Sequence, residues 1–268
     1  MIIDQTYNLL RTRYKEKTEN LFIKDVRIGL FLTAVRLSDG NVGVASTLTD
    51  SHPVCTKENR DYGDFTPSKI IGQPVTKLFE ASKETGIILT LKIAVLTAIS
   101  YDLISSGNYM VIDNCDPIDL IDLSSDKTIV IVGAFHSYIR KISGTKNRLH
   151  VLELNENALY QDQKQFFVPA EEYLKVLPDA DVVIITGLTL VNNTIDNLLS
   201  SIPGTARVIV TGPSSSIIPD ILFANKVEII GATRITKPDI LFEIAGQAAA
   251  GYHLFRYCAQ KICILKKK

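Results

Sequence analysis

The stretch KTIVIVGAFHSYIRKI, residues 127–142, decides how the chain is read. Its β-branched run lacks the polar alternation of a half-exposed strand, so it predicts a strand buried on both faces, closed by a glycine and followed by a helix. This is the outline of a nucleotide-binding strand, turn and helix. The turn, however, reads Gly133-Ala134-Phe135-His136-Ser137 where a dinucleotide fingerprint supplies three glycines.

Working outward from that unit, the same kind of run recurs toward the C-terminus. LHVLEL, DVVIITG, ARVIVTG and VEIIGA are separated by segments with helical spacing, among them AEEYLKVL, TIDNLLSSI and PDILFEIAGQAAAGYHLFRY. Buried β-branched runs alternating with helices predict a Rossmann-like, doubly wound parallel sheet over residues 121–268. Upstream the pattern differs. A polar helical opening leads to two apolar runs flanking Ser38-Asp39-Gly40-Asn41, a hairpin signal, then a charged loop over residues 50–67 and two helical patterns, the longer being GIILTLKIAVLTAISYDLISSG with Gly107 placed to stop it. Residues 1–120 therefore read as an α+β domain, and the acidic stretch NCDPIDLIDLSSD, residues 114–126, as the link. The expected fold class is α/β with an α+β N-terminal domain.

Composition excludes several functions. The 268 residues carry 29 Lys plus Arg against 29 Asp plus Glu, so no net field draws the chain to nucleic acid or to an anionic membrane. The apolar runs read as short of the roughly 20 residues that span a bilayer, and the N-terminus lacks a signal-peptide pattern. The expectation is a cytoplasmic protein with its four cysteines reduced, partnered by a small molecule or metal ion, with homo-oligomerisation left open.

Four strand runs close on glycine, at Gly133, Gly187, Gly212 and Gly231. In a parallel sheet these ends share one edge, where helix N-termini also point, and a ligand can approach backbone N–H groups closely. Hydroxyl and amide side chains follow them: Thr189 and Asn192 after Gly187, and Ser214 to Ser216 after Gly212. For Asn193, Ser216 and Thr236, helix capping is a sufficient explanation, with Pro238 opening the last helix. Glu153 lies twenty positions after Gly133, the spacing at which a Rossmann acid meets a ribose hydroxyl, and a solvated loop acid fits it equally well. His136 stands at a helix N-terminus, where a neutral imidazole would accept a proton or bind a metal; a histidine bonded to backbone is the competing account. His52 and Cys55 share H-x-x-C spacing, which is only half of a structural zinc site. His253, Cys258 and Cys263 are five apart and share no helix face.

The segments DADVVIITGLTLVNNTIDNLL, ARVIVTGPSSSIIPDILF and VEIIGATRITKPDILFEIAGQ resemble a family described as “Putative heavy-metal chelation”. That family combines an enolase-N-terminal-like domain with a Rossmann-like domain. The resemblance covers the whole chain and is most specific at T-G-x-T-L-V-N, residues 186–192, and at T-G-P-S, residues 211–214. It implies a site in the cleft between the domains, built from Gly133, Phe135, His136, Thr186, Gly187, Thr189, Asn192, Gly212, Pro213 and Ser214. The chain departs from the family pattern at VGAFHSYI, where relatives carry prolines after the aromatic residue, and at AVLTAIS, where an asparagine is common. Two functions follow as expectations. One is the holding of a divalent transition metal, with His136 as ligand, or of a metal-complexing small molecule. The other is an enzyme acting on an anionic or nucleotide-like substrate with His136 as acid or base.

Overall fold

The computed structural model describes residues 1–48, 62–107 and 109–267. Helix α1 (Ile2–Arg13) buries Ile2, Ile3, Thr6, Tyr7 and Leu10 on one face, and a short α2 (Lys15–Glu19) follows. Strands β1 (Ile23–Ile28), β2 (Leu32–Leu37) and β3 (Val42–Ser46) form an antiparallel sheet in that order. The β2–β3 turn uses Gly40 at φ +94°, a conformation that costs glycine nothing.

After α3 (Val75–Phe79) comes α4 (Gly86–Ser106), capped by the Thr85 side chain, which accepts the Ile88 N–H at 3.4 Å. Its 21 residues are long and apolar enough to cross a membrane by length and composition, correcting the reading that every apolar run falls short. Within the fold, 78% of its most apolar stretch is buried. The helix is apolar all round because protein covers it all round. Gly43 of β3 lets the two backbones touch: a Cβ there would stand 2.1 Å from the Ala94 carbonyl oxygen. Thr97 fastens the contact, its Oγ1 accepting the Val44 N–H at 3.0 Å.

The second sheet has eight strands in the order β4 (Tyr109–Asp113), β11 (Ala259–Lys266), β10 (Val227–Ile235), β9 (Arg207–Thr211), β8 (Val182–Thr186), β5 (Thr128–Val132), β6 (Arg148–Glu153), β7 (Phe167–Pro169). From β10 to β7 every pairing is parallel, while β11 runs antiparallel to both its neighbours. The six parallel strands follow the doubly wound order, with β5 first and the reversal of direction between β5 and β8. Helices α5 (His136–Ser143), α6 (Leu188–Val191), α7 (Ile195–Ser201), α8 (Asp220–Ala224), α9 (Pro238–Ala245) and α10 (Gly251–Tyr257) complete the chain.

The large sheet separates two cores. On one face Val130, Val183, Val208 and Ile230 join Leu91, Leu96 and Ile99 of α4 in one continuous cluster. On the other, Ile129, Ile131, Ile184 and Ile229 pack with Ile139 and Ile142 of α5. A third core sets Leu241, Phe242 and Leu254 against Leu32, Ala34 and Val44 of the small sheet. Helices from the end of the chain thus cover a sheet from its beginning.

Several local expectations change. AEEYLKVL forms 3-10 turns rather than an α-helix, being bracketed by Pro169 and Pro178. The acidic stretch before β5 is packed rather than free, because Cys115, Ile118 and Ile121 are buried in the second core. Gly231 lies inside β10 instead of ending it, since pairing with β11 extends the strand to Ile235. Of the three capping candidates, none places its side chain on a helix N-terminus; Ser216 Oγ instead accepts the Thr233 N–H at 2.8 Å. Pro238 does open α9. His52, Cys55 and most of the charged loop lie outside the described residues.

Candidate functional site

Two hollows lie at the carboxyl edge of the parallel strands. The larger, about 900 Å³, opens on the α5 side beyond β5, β9 and β10. Its wall carries a chain of polar groups. Tyr138, buried in the first turns of α5, donates its phenol hydrogen to Asp116 Oδ1. The other carboxylate oxygen accepts from Lys261 Nζ at 2.5 Å, and Thr211 at the end of β9 lines the same wall. Burial and the Asp116 carboxylate push the Tyr138 phenol far above the ordinary tyrosine range, so it stays a donor.

His136 stands at the mouth of this cleft. Gln163 fixes its tautomer: the Gln163 amide NH₂ donates to the His136 carbonyl at 3.3 Å, which turns Oε1 toward Nδ1 at 2.7 Å. Nδ1 therefore carries a proton, and Nε2 is the ring nitrogen left for a ligand. Tyr160 holds the imidazole from one face, ring centroids 4.1 Å apart. No side chain caps α5; its first N–H, that of His136, is taken by the Ala134 carbonyl at 3.1 Å, and those of Ser137 and Tyr138 follow in the same turn. Arg256 and Lys261 add two cations to the lining.

One more group faces the same space. Along β10, Ile230 and Ala232 point into the first core and Ile229 into the second, so the two-residue period sets Thr233 on the cleft side, opposite Lys261. Thr233 is 6% exposed, and its hydroxyl is the single buried side-chain oxygen or nitrogen without a partner among the described residues. Such an orphan costs free energy unless a ligand or water completes it.

The smaller hollow, about 410 Å³, lies at the ends of β5, β6 and β8. Gly133, Glu153, Thr186, Thr189 and Asn192 line it, whereas Phe135, His136, Gly212 and Pro213 line the larger cleft. Gly187 and Ser214 line neither. A Cβ on Gly187 would stand 2.9 Å from the Ser215 nitrogen, and Ser214, fully buried, uses its hydroxyl to accept the Ser46 N–H at 2.9 Å. Gly187 is a packing glycine, and Ser214 ties the small sheet to the large one. Directly between the small sheet, α4 and β10 the described residues leave about 20 Å³, room for a water molecule.

Asp116, Tyr138, Lys261 and Arg256 are absent from the sequence-derived set; Thr233, which follows Gly231, and Thr211, which opens T-G-P-S, stand in the sequence among the polar groups after the strand ends. Tyr138 was within reach, two residues after His136. Lys261 was not, because only the antiparallel return of β11 brings it beside β10.

Two family models, both described as “Putative heavy-metal chelation”, match residues 11–100 and 116–264. The chain belongs to this family. Members with solved structures include a protein of unknown function from Pyrococcus horikoshii, 21% identical at TM-score 0.76, which covers 99% of this chain and 100% of that one. Another, from Desulfitobacterium hafniense DCB-2, is 17% identical at TM-score 0.72, covering 97% of this chain and 100% of that one. These likenesses establish the fold the family shares. No curated protein matches the sequence.

The metal that the family description implies does not suit a donor set made by these side chains alone. Among the described residues no three His, Cys, Asp or Glu side chains gather around one point. Structural zinc sites use about four such ligands and catalytic ones three. Cys115, Cys258 and Cys263 are buried free thiols, and burial raises the last two above the usual thiol range, which disfavours the thiolate a metal needs.

Proposed function

We propose that this protein binds an anionic small molecule, of the kind that complexes a divalent transition metal, in the larger cleft beside His136. The observation that carries the reading is the convergence on one space of the His136 imidazole, the cations of Arg256 and Lys261 against the single carboxylate of Asp116, and a buried hydroxyl with no protein partner among the described residues. An anionic ligand would meet Arg256, Lys261 and the N-terminal end of α5, which carries the partial positive charge of a helix N-terminus. Its metal would need only one protein ligand, the imidazole, because the molecule itself supplies the other donors. That division of labour reconciles the family description with the sparse donor set. Phe135 stands where a dinucleotide turn has its second glycine, and its ring is packed on Tyr138 at 5.3 Å, so a pyrophosphate has no close approach there.

Native mass spectrometry with elemental analysis of the purified protein tests whether a metal and an organic anion travel together. Calorimetric titration with zinc citrate, compared with zinc alone, tests the mode. The expected result is saturable binding of the complex, weakened about tenfold or more in His136→Ala and in Lys261→Ala, as loss of a charged or coordinating contact implies. Equal affinity of wild type and His136→Ala for zinc citrate would refute the reading.

A further inference from the structure

The smaller hollow is independent of the larger one. It lies on the opposite face of the sheet, walled by Val132, Leu152 and Leu198 of the first core, and shares only the first β5 turn with its neighbour. We propose that it binds a ribonucleoside, with the ribose diol on Glu153 and the base in the apolar slot beside Tyr173.

Position comes first. Glu153 is the last residue of β6, the strand next to β5, and β5 ends in Gly133 at φ +105°. In a doubly wound sheet an acid at this place meets the sugar hydroxyls of a nucleoside laid over the first turn. Gly133 supplies the tight turn, and its missing side chain matters: a Cβ would stand 3.1 Å from Thr186 Cβ, in a backbone conformation that side chains rarely adopt.

The carboxylate is also oriented for the task. Oε1 accepts the N–H of Leu154 at 2.8 Å and of Asn155 at 3.4 Å, while Oε2 has no partner among the described residues. A carboxylate only accepts hydrogen bonds, so its natural complement is a pair of donors such as a vicinal diol. Glu153 is half-buried in the wall of the hollow.

The rest of the lining fits a flat base. At about 410 Å³ the hollow falls within the size range of small-molecule pockets. Val132, Leu152, Leu188 and Leu198 give it an apolar wall, Glu171 adds a second carboxylate, and Tyr173, half-buried in the 3-10 turns after β7, offers a ring for stacking. Asn192 and Asn197 line the same space; the first accepts on its Oδ1 from Thr194 Oγ1 at 2.7 Å, and its NH₂ has no partner among the described residues. Amide side chains pair with base edges through such groups. Phe135 blocks the pyrophosphate path, so the ligand ends at the ribose or leads away from the turn.

Calorimetric titration with adenosine and uridine, with their 2′,3′-dideoxy forms, and with NAD decides the matter. Saturable binding of at least one ribonucleoside is expected, weakened about tenfold or more when the diol is removed, as two hydrogen bonds to a carboxylate imply. Glu153→Gln should weaken the ribonucleoside similarly and abolish the preference for the diol, and NAD should bind no more tightly than the nucleoside. His136→Ala, which alters only the larger cleft, should leave nucleoside affinity unchanged, so this inference and the metal-complex reading stand or fall separately. No saturable binding of either ribonucleoside by wild type, or equal affinity for the dideoxy forms, would overturn it.

Discussion

Replacing Asp116 by Ala strikes the group on which the wall of the larger cleft is built. Two interactions go. The first is the bond from Tyr138, a residue 6% exposed, to a charged acceptor, of a class that contributes about 1.5–3 kcal/mol. The second is the ion pair with Lys261 at 2.5 Å; the lysine side chain is 45% exposed, so screening by solvent limits it to under about 1 kcal/mol. Asp116→Ala should therefore cost about 2–4 kcal/mol and lower the melting temperature by about 4–8 °C for a chain of this length. A double-mutant cycle with Tyr138→Phe isolates the buried bond. In the Tyr138→Phe background, Asp116→Ala should cost only the exposed pair, leaving a coupling of about 1.5–3 kcal/mol. Thermal and urea unfolding of the four proteins measures it. Additivity within about 0.5 kcal/mol would show that Tyr138 and Asp116 do not share a proton-donating bond in solution.

Gly43→Ala should destabilise the protein by about 3 kcal/mol or more, because the new methyl meets the Ala94 carbonyl oxygen at 2.1 Å and the Ala98 nitrogen at 2.4 Å, backbone atoms that cannot swing aside; a melting curve superposable on wild type would refute the close packing of β3 on α4. Stability should also fall in alkali. Burial with the Asp116 bond raises Tyr138, and burial with the Asp220 bond raises Tyr109, while unfolded tyrosines ionise near about 10. The unfolded chain then binds fewer protons above that pH, so the two phenols stabilise fully below it and progressively less above it. Tyr138→Phe should show a shallower loss of melting temperature than wild type between about pH 10 and 11, and parallel curves would contradict the raised phenol.

The sequence by itself determined the doubly wound sheet. Runs such as TIVIV and VVIIT carry β-branched side chains at consecutive positions, and only a strand covered on both faces can bury them all. It also determined the hairpin at Ser38 to Asn41 and the entry of α9 at Pro238, because glycine and proline act locally through their own dihedral angles; α4 ends at Gly107 as well, but there the backbone is extended and the glycine answers to close packing, a Cβ standing 2.6 Å from the Leu103 carbonyl oxygen. Edge elements were less legible. The strand at Tyr109–Asp113 lies within the stretch read as the N-terminal domain yet joins the large sheet, and Phe167–Pro169 is too short to show a period.

Only the tertiary structure decided which side chains share a site. Residues 133–136 look like one turn in the sequence, but backbone direction divides them, Gly133 toward the smaller hollow and His136 toward the larger. Ser214 looks like a ligand-binding hydroxyl, and the docking of β3 converts it into a tether for Ser46. Asp116 sits in a stretch that reads as a link, and it becomes the hub of a polar wall because Tyr138 comes from a helix 22 residues on and Lys261 from a strand 145 residues on. Local preferences are written in neighbouring residues, which a sequence displays; the partners of a polar group are set by the pairing and packing of distant segments, which it does not.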